Sequence, residues 1–172
     1  CTWRWRGRSR RGVELAAGAR AGHDAGMTQI PTIPRESMIR NLASYSLEGR
    51  RQREITLEAI SDELENPQVG FVWVGLYEPD APLLMKMQEE FNLHQLAVED
   101  ALNAHQRPKV ELYGDSLFLV LRTAQVVKGH IEFGETSIFF GPRYLLTVRH
   151  GASLPFAPAR ERWLLTPVAP RG

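Results

Sequence analysis

Glu99 and Asp100 stand side by side in a stretch that also carries His94, His105, Arg107, Lys109 and Glu111. Neighbouring helix positions point about 100° apart, so the two carboxylates cannot chelate one ion together, and one of them must face outward. A hard divalent cation such as magnesium takes one or two carboxylates and keeps several waters. A metal site here would therefore be a shared one, completed by a carboxylate from another element or another subunit. The competing reading is a solvated helix face with an ordinary salt bridge. His94 and His105 raise zinc as a further reading. They stand eleven positions apart with no cysteine beside them, whereas zinc takes three or four ligands at closer spacing. Histidines at helix ends also cap or pair. Pro108 disfavours the helical state for Arg107 and is expected to stop the helix there. Arg107 and Lys109 then offset the dipole at the helix C-terminus, with Glu111 in reach of either.

The elements that must position these residues can be read from periodicity. Met38 to Tyr45 has strand character, and Glu48-Gly49-Arg50 offers a turn. Thr56 can cap a helix whose Leu57, Ile60 and Leu64 share one face, and Asn66-Pro67 stops it. Phe71 to Tyr77 is apolar on both faces, as a strand covered on two sides would be. Pro79, Asp80 and Pro82 open a helix with Leu84, Met87 and Phe91 as its buried stripe, and Asn92 can end it in the left-handed conformation. His94 begins a second short helix, with Leu96, Ala97, Ala101 and Leu102 expected inward. After Pro108 the chain turns β, with strands at 116–127, 131–140 and 144–148, and Phe156 to Leu165 starts another helix. The sum is a single α/β domain, a mixed β-sheet covered by helices.

Composition narrows the function classes. Hydrophobic residues make up 43% of the 172 positions and charged residues 24%, as in an ordinary globular protein. The net charge of +1 hides two opposed parts: residues 1–27 hold six arginines against Glu14 and Asp24, and the remainder holds 15 basic against 18 acidic residues. A mildly acidic body argues against a nucleic-acid surface and is compatible with cation binding. The Arg/Trp-rich start could serve as a nucleic-acid arm, but it also reads as a disordered or non-native leader over residues 1–37, with a start at Met27 or Met38. Cys1 is the only cysteine, which excludes disulfides and thiolate metal sites within one chain. No stretch reaches the ~20 apolar residues of a spanning helix. Enzyme motifs are absent: Gly114 and Gly134 are isolated glycines, and no nucleophile stands in its usual setting. Glu132 and Glu135 read as acids that keep a strand edge soluble.

The run Val98-Glu99-Asp100-Ala101-Leu102-Asn103-Ala104-His105-Gln106-Arg107-Pro108-Lys109-Val110-Glu111 resembles the cytoplasmic-domain signature of CorA-type magnesium and cobalt transport proteins. Phe71-Val72-Trp73-Val74-Gly75-Leu76 resembles the strand that precedes it in that family. Asp115-Ser116-Leu117-Phe118 and Gly141 to His150 resemble strands that follow, so the likeness runs from Met38 to Trp163. The resemblance implies helices on both faces of the sheet (α/β/α), a cytoplasmic domain at 38–165 and a truncated tail at 166–172. It implies no catalytic residues. It implies a homopentamer of an inner or plasma membrane protein, with this domain on the cytoplasmic side. A stalk helix and two pore helices with a Gly-Met-Asn motif would follow, and truncation or a reading-frame error would explain their absence. Magnesium is implied between neighbouring domains, favouring the closed pore, with cobalt as the other ion. Asp100, next to Glu99, matches the domain's own carboxylate, and its partner lies on the next subunit's stalk, so binding to this chain alone should be weak. Membrane contact would come only through the further helices, and no nucleic-acid partner is implied. The alternative is a freestanding regulatory or binding module of the same fold, without transport.

Overall fold

The computed structural model describes residues 34–165, with side chains through Arg162. The expected leader lies outside the described residues except for its last four positions, and the expected tail at 166–172 lies outside them entirely.

The chain enters through one helical turn, α1 (Arg35–Met38), which runs directly into β1 (Ile39–Tyr45). A turn with Gly49 at φ 78° returns it as β2 (Arg51–Glu54). This strand was not expected: all four of its residues are exposed and none is apolar, so only backbone pairing marks it. A 3₁₀ turn at Leu57–Ala59 leads into α2 (Ile60–Glu65), which Asn66 ends as anticipated. Thr56 holds the cap position of that turn, but its hydroxyl makes no capping bond.

β3 (Phe71–Tyr77) is followed by α3 (Ala81–Phe91), whose N-terminus is capped by Asp80 Oδ1 accepting from Leu83 N at 2.9 Å. Asn92 closes α3 at φ 48°, as its residue type predicted. Then come α4 (Gln95–Asn103), β4 (Lys109–Tyr113), β5 (Ser116–Val127), β6 (His130–Gly141), β7 (Tyr144–Gly151) and α5 (Ala157–Leu165).

The strands form one sheet in the order β2-β1-β3-β7-β6-β5-β4. Only β3 and β7 pair in parallel, and the other neighbours are antiparallel, so the sheet is mixed as expected. Val72, Val74, Leu76, Leu146, Val148 and Phe118 point to one face and form a continuous core with the apolar sides of α2, α3 and α4. Each such side chain contributes roughly 1.5–3 kcal/mol when fully buried. Trp73, Tyr45 and Ala43 point to the other face, where Phe156 at the start of α5 packs against them. The two-sided apolar pattern of β3 is thus used on both sides.

Two expectations for α4 are corrected. Leu96 is 57% exposed rather than buried, and Val98 takes the inward position beside Ala97 and Ala101. The helix also ends at Asn103, well before Pro108, because Ala104 and His105 adopt φ of 50° and 59° and turn the chain away.

Candidate functional site

The acidic signature is positioned by α4 and by the edge strand β4 beside it. His94 caps α4, its Nδ1 accepting from Leu96 N at 3.3 Å, and its ring stacks on Tyr113 with centroids 4.2 Å apart. At the other end, His150 Nε2 lies 2.8 Å from the Ala101 carbonyl, one of the helix's last acceptors. His150 Nδ1 meets Glu78 Oε2 at 2.9 Å, and Gly151 N donates to Glu78 Oε1 at 2.7 Å. The His150 ring thus lies between two acceptors, the Glu78 carboxylate and the Ala101 carbonyl. Burial pushes the Glu78 carboxyl upward, but the Gly151 N–H and His150 outweigh it and hold Glu78 below its ordinary value.

Within this frame Glu99 and Asp100 separate as their spacing required. Glu99 is exposed, and its side chain has no hydrogen-bond or ion-pair partner among the described residues. Asp100 is half-buried, and its Oδ2 accepts from Lys109 Nζ at 2.7 Å. Lys109 also reaches Glu111 Oε2 at 2.9 Å, and Tyr113 Oη donates to the same oxygen at 2.8 Å. Lys109 therefore does not sit at the helix end offsetting its dipole. It bridges two carboxylates, and the Asp100 bond chiefly raises its pKa. The Glu111 carboxyl is held low, first by Lys109 and then by Tyr113.

His94 and His105 are not brought together, because they flank a helix of nine residues, about 13 Å long at 1.5 Å per residue. Among the described residues no group of three His, Cys, Asp or Glu side chains is placed to hold a metal ion. The carboxylate of Asp100 suits a hard, oxygen-seeking cation, but its Oδ2 is engaged by Lys109 Nζ.

Glu135 corrects another expectation. It is 2% exposed, not an edge acid, and its Oε2 accepts from Gln106 N at 2.8 Å, which pins the loop between α4 and β4. Its inward direction was readable in principle: Glu135, Ser137 and Phe139 alternate on the face where Phe139 joins the core. The role of Lys109 carried no such mark, since only the pairing of β4 beside α4 brings it to Asp100.

A family model described as CorA-like Mg2+ transporter protein matches residues 68–170, which include α4, the loop and β4 to β7. The chain belongs to this family. It is 28% identical over 127 residues to YfjQ of Bacillus subtilis (strain 168), covering 74% of this chain and 38% of that protein. It is 28% identical over 132 residues to the cobalt/magnesium transport protein CorA of Thermotoga maritima, covering 74% of this chain and 37% of that one. The complete structure of the CorA magnesium transporter from Methanocaldococcus jannaschii shares the fold, with TM-score 0.50 and 17% identity over 74% of this chain and 36% of that one. This CorA-like chain thus spans under two-fifths of the length of these relatives. Among the described residues no helix is long and apolar enough to cross a membrane.

Proposed function

We propose that this chain is the cytoplasmic cation-sensing domain of a CorA-like magnesium or cobalt transporter that assembles as a homopentamer. Family membership and its likeness to the cobalt/magnesium transport protein of Thermotoga maritima support the class. The observation that carries the sensing role is the Asp100–Lys109–Glu111 bridge, in which one ammonium pairs with two carboxylates of the family signature. Asp100 supplies the charged oxygen donor to the metal, with the exposed Glu99 alongside it. Further oxygens come from a neighbouring subunit, because a magnesium ion needs near-octahedral oxygen coordination and the described residues group no three acidic or histidine side chains for it. Asp100 would hold the ion in place of Lys109, which would then keep Glu111 as its partner. The domain senses and does not catalyse.

The test is limited proteolysis of the transporter containing this domain, with and without millimolar magnesium. Magnesium should protect the wild type, Asp100→Asn should abolish protection, and Lys109→Met should shift it to lower magnesium by roughly tenfold, as expected for removal of one charge-assisted competitor. Equal protection of wild type and Asp100→Asn would sink the sensing role.

A further inference from the structure

On the second face of the sheet three guanidinium groups converge where carboxylates would be expected. Arg40, Arg149 and Arg160 line a cavity of about 160 Å³ under the first turn of α5. Arg149 is only 6% exposed. Its Nη1 donates to Ser153 O at 3.3 Å, and its guanidinium lies 5.3 Å from the Tyr77 ring centroid. Arg40 lies 5.4 Å from the same ring, and Arg160 lies 5.9 Å from Trp73 while donating to Asn41 Oδ1 at 2.8 Å. Among the described residues none of the three has a carboxylate within ion-pair distance. Glu132 lines the open groove next door together with Arg40 and Arg149, but it pairs with neither.

Buried charges are ordinarily paired, because removing one from water is expensive. Here the Arg40 charge and the end of a helix add to that cost. Burial first, and the Arg40 charge second, push the Arg149 pKa down. The N-terminal end of α5 also faces the cavity and carries no acidic residue in its first turn. The cavity floor is open because residue 75 is glycine: a Cβ there would stand 3.3 Å from Asn41 Cβ and 3.5 Å from Thr147 Oγ1. The volume equals the share of roughly five waters in the liquid, enough for a tetrahedral oxyanion and too small for a nucleoside.

We propose that this pocket binds a phosphate-type oxyanion, with Arg149 as the buried donor and Arg40 and Arg160 closing on it from the rim. Guanidinium groups suit this ligand because their forked N–H donors match its oxygens in pairs. Either free phosphate or the phosphoryl end of a larger metabolite can fill it, the remainder of the metabolite lying in the open groove beside Tyr77 and Gln125. This site is separate from Asp100, on the opposite side of the sheet and of opposite charge.

Calorimetric titration of the full chain at constant ionic strength tests the proposal, with inorganic phosphate in one arm and adenosine monophosphate in the other. Saturable binding is expected, weakened about tenfold or more in Arg149→Met and Arg40→Gln and unchanged in Asp100→Asn. Arg40 is exposed, so its variant keeps the fold even if the Arg149 change does not. Tighter binding of the nucleotide would identify a tethered phosphoryl group, and equal or weaker binding would identify the free ion. No saturable heat in either arm, or equal affinity in wild type and Arg40→Gln, overturns the proposal.

Discussion

The two faces of the sheet solve different problems. On the first, three helices lie over a largely apolar surface, and Leu83, Leu84 and Met87 of α3 are fully buried. On the second, among the described residues, α5 and Phe156 pack over the region around Trp73 and Tyr45 and the cavity beside it. Farther along that face Val110, Leu112 and Phe140 are 64%, 75% and 56% exposed, and the strand register joins Leu112 to Phe140 through Leu117 on the strand between them. The first face stores the stability of the domain; the second offers surface. Charge divides in the same way. The carboxylates of the signature sit at the edge of the first face around one lysine, whereas three arginines gather on the second with no carboxylate paired to them among the described residues.

The strongest way to break this contrast is to truncate one leucine on each face. Leu84→Ala should lower unfolding free energy by about 2–5 kcal/mol in chemical denaturation, because the site can only partly collapse. Leu112→Ala should change it by no more than about 0.5 kcal/mol. A comparable loss at Leu112 would mean that the second face is covered in solution. Next in size is Glu135→Ala, which strands the Gln106 N–H and should cost about 1–3 kcal/mol, while Glu132→Ala stays near zero.

A smaller effect is read from pH. The folded pKa of Glu78 lies below its unfolded value, so its contribution is complete above the unfolded pKa and is lost as pH falls through the folded pKa. The acid limb of a stability profile should flatten in Glu78→Gln, and an unchanged limb would remove Glu78–His150 as the clamp on α4. Smallest of all, Leu112→Ser with Phe140→Ser should leave melting temperature nearly unchanged yet reduce self-association in sedimentation, since an apolar patch on an open sheet drives contact. Unchanged sedimentation would show that the strip is not sticky.

Much of the fold was legible because burial leaves periodic traces. Phe71–Tyr77 announced a strand covered on both sides, and Asp80 and Asn92 marked the two ends of α3 through residue types that favour those conformations. β2 left no trace, as an exposed edge strand buries nothing. Leu96 misled because a short helix has too few turns for periodicity to fix its rotation, and Val98 took the core instead. Half of the candidate site was readable: the spacing of Glu99 and Asp100 required them to diverge, and they do.

By itself, then, the sequence determined the layer order, the α4 signature and the family to which the chain belongs. Local propensity and side-chain period act over a few residues, and they survive translation into a string. Only the tertiary structure decided that Lys109 faces Asp100, that Glu135 holds the loop, and that Arg40, Arg149 and Arg160 share one cavity. Arg40 and Arg160 come from chain segments 120 positions apart, and no local pattern encodes a meeting that the pairing of β1 with β3 and the docking of α5 alone bring about.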